Sequence, residues 1–424
     1  MRPLAYDITR LFVGPLMPTP RGIDRVDLIL ARHFFESADW DTYGLLPTPW
    51  GVRLFERQRV IRALDRLEVI WKENADAHAD PAFAWVKNRL LGNSAGAAPR
   101  SGKFTALDKV VRMGSMLTAT GIVPGRSARR ALSAKAPYLN IGQISLALPF
   151  LFRWLLRRPD VHAVFMLHDV IPIEFPDLVP RASTYFHNAM VRTTAQYAKG
   201  VIVSTQHARD SVAAELAQHG RADIAMLSAM LPLHRGFDDP AVPDPELSDV
   251  AYFLVVGAIE TRKNLLLLLE AWKLLEARLG ANTPQLVLAG SVHAGGREIM
   301  EEFLASRRVA PYVHFISGLS TASIGTLILG ARALLMPSLA EGFGLPIIEA
   351  QALGCPVIAS DIPAHREVVG GSAALLPTDR PDLWADAVAE TPLQEGRSPA
   401  PRGEVSAARR EFVERIEAFL ESTI

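Results

Sequence analysis

Two glutamates stand eight positions apart in the stretch Glu341-Gly342-Phe343-Gly344-Leu345-Pro346-Ile347-Ile348-Glu349. Gly344 can take the conformation that opens a helix, and Pro346 suits a first turn, where its missing N–H costs nothing. The helix is expected to run through Leu353 and to stop at Gly354, with Pro356 as a second stop signal. Glu341 then lies in the loop at the helix mouth and Glu349 in the second turn. The N–H groups of Phe343, Gly344 and Leu345 stay open at the positive helix end, which suits a phosphate. The plainer reading is a surface helix with solvated glutamates. Against it, Glu349 sits between Ile348 and Ala350 with little polar surface around it.

A second stretch, Gly257-Ala258-Ile259-Glu260-Thr261-Arg262-Lys263-Asn264, brings a flexible turn and two adjacent cations to the end of an expected strand. Arg262 can fork onto two oxygens while Lys263 acts as a point charge, a combination that suits a diphosphate. The spacing is neither that of a P-loop nor the three-glycine dinucleotide fingerprint, and exposed surface charges would give the same string. Together the two stretches describe one cleft. It has cations for a diphosphate, one carboxylate to accept from ribose hydroxyls and another to grip a further polyol. His168-Asp169 ends another apolar strand and so carries titratable groups into a crevice loop. Asp24 and Arg25 stand at the mouth of a helix, either as binding groups or as a cap and a surface charge.

The elements that must position these groups alternate. In the first half the pattern predicts strands at Leu4–Ile8, His162–Leu167 and Gly200–Val203, with helices at Ile23–Phe35 and Ala182–Tyr197. In the second half it predicts strands at Tyr252–Val256, Gln285–Ala289, Val313–Ile316, Ala333–Met336 and Val357–Ser360, separated by helices. Short apolar strands between helices imply parallel sheets covered on both faces. His234 to Asp249, with prolines among aspartates, reads as an interdomain linker, and Thr391 to Gly403 as a loop. From Gly92 to Ala136 the periodicity weakens. There Arg100, Lys103, Lys109, Arg112, Arg126, Arg129, Arg130 and Lys135 face a lone acid, Asp108. Leu146 to Arg158 is apolar, edged with arginine and carries Trp154. It reads either as a helix docked on an anionic membrane or as a buried helix beside a mobile insertion.

The chain has 424 residues, and domains of about 100–200 residues make two the natural expectation. Its 45 Lys and Arg balance 45 Asp and Glu, which gives no sign of a nucleic-acid binder. Cys355 is the single cysteine and has no internal partner, which fits a reducing compartment. No signal-peptide pattern and no run of about 18 apolar residues is present. The expected location is cytoplasmic, with a peripheral position at the inner face of the membrane as its extension. Neither an Asp-x-Asp nor a His/Cys cluster of metal-ligand spacing is read from the sequence, so neither metal nor cofactor is expected.

The two motifs resemble the signature of the GT4-type retaining glycosyltransferases (glycosyl transferases group 1) of GT-B fold. Phe315-Ile316-Ser317-Gly318, Met336-Pro337-Ser338 and Gly354-Cys355-Pro356-Val357-Ile358-Ala359-Ser360-Asp361 add to the likeness, and Gly22-Ile23-Asp24-Arg25 with His168-Asp169 carry it more loosely into the first half. The resemblance implies an α/β chain of two Rossmann-like doubly wound domains facing a central cleft. Residues 1–235 would form the acceptor-binding domain with a basic insertion at about 92–136, and residues 250–390 the nucleotide-sugar-binding domain. A helix over 404–424 would pack back towards the first domain. In these terms Arg262 and Lys263 hold the donor's phosphates and Glu349 accepts from the ribose. Glu341, with the N–H groups of Phe343, Gly344 and Leu345, holds the transferred sugar. His168 lies by the sugar and the incoming acceptor, and Gly22 lets the diphosphate approach the first helix. Lys263, Glu341 and His168 are then the catalytic residues, while Asp24, Arg25 and Asp169 face the acceptor. The activity implied is transfer of a mannose-, glucose- or galactose-like hexose from a GDP- or UDP-hexose to a glycan or lipid-linked acceptor of bacterial surface polysaccharide, with retained anomeric configuration. Many members have Arg or Thr where this chain has Ala258, so phosphate binding leans more on Arg262 and Lys263. Rival readings are a nucleotide-sugar isomerase on the same fold and an idle, membrane-docked scaffold.

Overall fold

The computed structural model describes all residues except 17–19, 49–50, 72–76, 95, 100–104, 122–124, 235–236, 238–241, 371–372, 393–401 and 424. Its first sheet contains β1 (Arg2–Asp7), β2 (Trp40–Thr48), β3 (Gly51–Phe55), β4 (Arg126–Ser127), β5 (Pro137–Asn140), β6 (His162–Met166), β7 (Gly200–Val203) and β8 (Ala225–Ser228). The strand order is β4-β3-β2-β1-β5-β6-β7-β8, parallel except for the β2–β3 hairpin and the β3–β4 edge. The second sheet contains β9 (Tyr252–Val256), β10 (Gln285–Ala289), β11 (Val313–Ile316), β12 (Leu334–Met336), β13 (Val357–Ser360) and β14 (Ala373–Leu376). It is parallel throughout, in the order β11-β10-β9-β12-β13-β14.

Chain order reverses between β9 and β12 in the second sheet and between β1 and β5 in the first. In open α/β sheets a crevice opens at such a switch point, beyond the carboxyl ends of the strands. The loops after β9 and β12 carry Gly257–Asn264 and Pro337–Gly344, the loop after β6 carries His168, and the helices Thr9–Val13 and Gly22–Glu36 that follow β1 carry Arg10 and Gly22. The strands expected in the second half coincide with β9 to β13 to within a residue, because these short apolar runs are buried on both sides.

Four differences from the sequence reading have physical causes. The weakly periodic segment 92–136 contains a helix, Ala106–Thr120, packed on the helix Arg57–Trp71. It opens with a capping box in which Thr105 and Asp108 bond each other's backbone N–H, which accounts for the lone acid. Leu107, Val110 and Val111 on this helix are exposed, and that blurs its periodicity. Of the basic residues there, Arg100 and Lys103 lie outside the described residues. The stretch from Leu146 forms two 3-10 segments, Ile144–Ala147 and Pro149–Arg157, with Phe152 and Leu155 buried three positions apart as a three-fold repeat requires.

The third difference is that the helix Pro81–Leu90, from the first half of the chain, docks on the second sheet beside β11. Asp80 caps this helix, accepting from Ala82 N–H, and also accepts from Ser320 N–H at 2.8 Å and Ser323 Oγ at 2.6 Å. The fourth lies in the expected linker, where Pro245–Leu247 makes a turn that Lys87 clasps through Asp244 and Glu246. The last helix, Arg402–Ser422, returns to the first sheet. There Arg415 donates to Ser228 O, and Glu417 accepts from His33 and from Trp40 Nε1.

Candidate functional site

A cavity of about 580 Å³ lies between the two sheets, a size that suits a small-molecule ligand. The second domain supplies its polar floor. Gly257 turns the chain out of β9 into the 3-10 turn Thr261–Lys263, and Leu339 N–H donates to Arg262 O at 2.9 Å, tying this turn to the loop after β12. Arg262 donates from Nη1 to Glu341 Oε2 at 2.8 Å and to Ala340 O at 2.7 Å, and from Nη2 to Glu260 Oε1 at 2.8 Å. Glu341 Oε1 accepts from Lys263 Nζ and, at 2.7 Å, from Ser338 Oγ. Burial pushes the Glu341 carboxyl up, but Arg262 and Lys263 outweigh it and hold it well below the usual carboxylate range. The group is therefore a fixed anion beneath two cations and is no proton donor.

The helix Leu345–Ala352 starts at Gly344, whose φ of 103° only glycine adopts readily. It ends in a Schellman turn: Cys355 N–H donates to Ala350 O and Gly354 N–H to Gln351 O. Phe343, Gly344, Leu345 and Pro346 at its mouth all line the cavity. Glu349 lies one turn deeper, buried. Its Oε1 accepts from Arg25 Nη1 at 2.6 Å.

The first domain closes tightly over this floor. A Cβ on Gly22 would stand 2.5 Å from Leu345 Cδ1, so the mouths of the helices Gly22–Glu36 and Leu345–Ala352 abut. Leu345 Cδ1 stands over Gly22, which also lines the cavity. A Cβ on Gly342 would stand 2.8 Å from His168 O and 2.9 Å from Asp169 Cβ, and the Gly342 carbonyl accepts from Ser204 Oγ at 3.0 Å and Thr205 Oγ1 at 3.2 Å. Glu367 accepts from the N–H groups of Gln206 and His207, capping a first-domain helix from the second domain.

His168 is buried against the cavity. Its N–H donates to Gln143 Oε1, and Nε2 donates to Ile141 O at 3.1 Å, which leaves Nδ1 as the acceptor. Burial pushes its pKa down to about 4, so the ring is neutral near pH 7. Between about 4 and the ordinary value of 6.5 the unfolded chain binds the extra proton, and His168 therefore removes stability as pH falls through that window. At about 1.4 kcal/mol per unit the loss is about 3 kcal/mol. His314 and His365, also pushed down by burial, share this acid limb. Urea unfolding from pH 7 to 4 should show a shallower limb in His168→Asn than in the wild type. An equal slope would mean that His168 takes up a proton in the folded state.

Asp169 lines the cavity and accepts from Ile171 N–H at 3.1 Å, with burial as the main force raising its carboxyl. Two of the residues expected at the acceptor have other partners. Asp24 caps its own helix by accepting from Arg21 N–H at 2.7 Å and pairs with Arg10 Nε at 2.5 Å, and it is not among the residues lining the cavity. Arg25 is committed to Glu349. Arg10, Ser338 and Glu260 were missed by sequence reasoning. Arg10 follows β1 at a switch-point crevice, and that position was the available signal. Contrary to the sequence reading, Asp39-Trp40-Asp41 does have an Asp-x-Asp spacing, but it precedes and begins β2 at the amino ends of the strands, opposite the cavity. Among the described residues no group of three His, Cys, Asp or Glu is placed to hold a metal ion.

Residues 243–399 match the family model for glycosyl transferases group 1. An O-antigen chain mannosyltransferase B of Escherichia coli is 25% identical over 212 residues, 49% of this chain and 55% of that protein. An O-antigen chain mannosyltransferase of Salmonella typhimurium is 26% identical over 222 residues, 52% of this chain and 58% of that one. The chain thus spans little more than half the length of these relatives. Among solved structures, an α,α-trehalose-phosphate synthase (UDP-forming) from Burkholderia vietnamiensis superposes over 100% of both chains with TM-score 0.55 at 13% identity. A sucrose-phosphate synthase from Thermosynechococcus elongatus covers 100% of this chain and 96% of its own, with TM-score 0.54 at 16% identity. These two likenesses bear on the fold. The likeness to glycosyl transferases group 1 thus lies in residues 243–399, and they are part of a chain with the two-domain GT-B fold.

Proposed function

We propose that the protein is a retaining, metal-independent hexosyltransferase of GT4 type. It would move a mannose-, glucose- or galactose-like residue from a GDP- or UDP-hexose to a glycan or lipid-linked acceptor in bacterial surface polysaccharide synthesis. The observation that carries this reading is the buried Arg262–Glu341–Lys263 cluster beside an open helix N-terminus in the interdomain cavity. In the reaction the bond from the anomeric carbon to the diphosphate oxygen breaks and a bond to an acceptor hydroxyl forms on the same face. Negative charge collects on the departing phosphate. Arg262, Lys263 and the N–H groups of Phe343 to Leu345 are suited to stabilise it, because fixed donors in a water-poor site need no reorganisation. The departing phosphate oxygen takes the acceptor's proton, which agrees with the lowered pKa values of His168 and Glu341, since both side chains are thereby weak bases. Glu349 accepts from the ribose. Asp169, His168 and Arg10 line the side of the cavity from which the acceptor would enter.

Binding at the inner face of a membrane belongs to the same reading. Phe150 and Leu156 are 58% and 62% exposed beside Arg153 and Arg157 on the 3-10 segment Pro149–Arg157, which packs on the helix carrying exposed Tyr185 and Phe186. Apolar side chains among arginines suit an anionic lipid surface. No helix among the described residues is long and apolar enough to cross a membrane.

The test is incubation with a panel of GDP- and UDP-hexoses, with and without a bacterial lipid extract. Nucleoside diphosphate released only with extract is the expected result. Turnover of a donor to another nucleotide sugar without acceptor would make it an isomerase, and tight donor binding without any turnover would make it a scaffold.

A further inference from the structure

Arg25 and Glu349 come from different domains and meet inside the cavity. Arg25 lies three residues beyond Gly22 and Glu349 four beyond Leu345, so each is on the helix face that the Gly22–Leu345 contact presses together. The side chains are 11% and 4% exposed. Arg25 is held besides by Thr321 Oγ1, 3.3 Å from Nη2, and by the Phe237 ring, whose centroid is 5.8 Å from the guanidinium carbon. The contact with Glu349 is end-on: Nη1 meets Oε1, and among the described residues Oε2 accepts no hydrogen bond.

We propose that Arg25 is a positioning residue for Glu349, fixing Oε1 from across the domain boundary and presenting Oε2 as an acceptor for the vicinal hydroxyls of a ribose. Recognition of the nucleotide is then complete only while the two domains are together. The proposal deepens the reading of Glu349 as the ribose carboxylate and rests on it. A carboxylate this deeply buried without a counter-charge would take up a proton and lose much of its acceptor strength, and burial indeed raises this group while Arg25 opposes the rise. Arg262 and Lys263 cannot serve in Arg25's stead, because both are engaged with Glu341. Arg25 thereby leaves the acceptor side, where its place at the helix mouth had suggested it.

The experiment compares calorimetric binding of UDP and GDP with that of their 2′,3′-dideoxy forms to the 424-residue chain. A site built to bond hydroxyls rejects analogues lacking them, so the wild type should prefer one ribonucleotide over its dideoxy form by about tenfold or more. Arg25→Met, which keeps the stem and removes the charge, should narrow that preference to about twofold. Arg25→Lys should restore part of it. A preference unchanged in both variants overturns the role of Arg25 and leaves the ribose reading intact. Equal weakening of ribo and dideoxy forms by Arg25→Met overturns it too, by making Arg25 a phosphate ligand. A wild type that binds both forms alike removes the ribose from Glu349, and this proposal with it.

Discussion

Lys263→Ala is expected to lower kcat/KM for the donor by about 10²–10³, roughly 3–4 kcal/mol of transition-state stabilisation, as loss of one preorganised donor to a developing oxyanion does elsewhere. The geometry separates this loss from a folding defect. Lys263 Nζ is one of three donors to Glu341, and after its removal Arg262 still holds Oε2 and Ser338 Oγ still holds Oε1. The carboxylate stays paired, so the melting temperature should change little. Release of nucleoside diphosphate at varied donor concentration locates the effect. A loss mainly in kcat places Lys263 on the departing phosphate in the transition state, whereas a rise in KM alone makes it a ground-state ligand. Wild-type kinetics would take Lys263 out of the site.

What the sequence disclosed depended on whether a group's partner lay near it in the chain. β9 to β13 were legible because each is a short apolar run bounded by turn residues and buried on both faces. The helix Leu345–Ala352 was legible because Gly344, Pro346 and Gly354 punctuate it. The hairpin β2–β3 was not, because Gly44 and Pro47 interrupt its apolar pattern and its stability comes from pairing along β1. At the site, Arg262 and Lys263 announced themselves by adjacency, but their shared anion stands 78 positions away for Lys263 and 79 for Arg262. Glu349 looked free because Arg25 lies 324 positions off. The docking of Pro81–Leu90 on the second sheet was hidden for the same reason, since Ser320 and Ser323 reveal nothing of Asp80. Asp24 could have been recognised as a cap from its place in the first turn of its helix.

Glu341→Ala is expected to abolish measurable turnover and also to destabilise the protein by about 3–5 kcal/mol, the usual cost of removing one partner of a buried ion pair. Arg262 would keep Glu260, but Lys263 would lose its carboxylate while still buried in the cavity floor. Glu341→Gln retains an acceptor and the shape, so it should cost less stability while losing the charge that orders the two cations. The pH dependence gives an independent check. The folded carboxyl is held below its ordinary value of 4.5, so its contribution is fully present above that value and is lost as pH falls through the lower folded pKa. Acid unfolding below about pH 4.5 should therefore be less steep in Glu341→Gln than in the wild type. If Glu341→Ala instead keeps the wild-type melting temperature and acid limb yet loses turnover, Glu341 acts by touching the sugar. If it loses stability and Glu341→Gln recovers both stability and turnover, the charge is dispensable and the cations are ordered by Ser338, Glu260 and the Ala340 carbonyl alone.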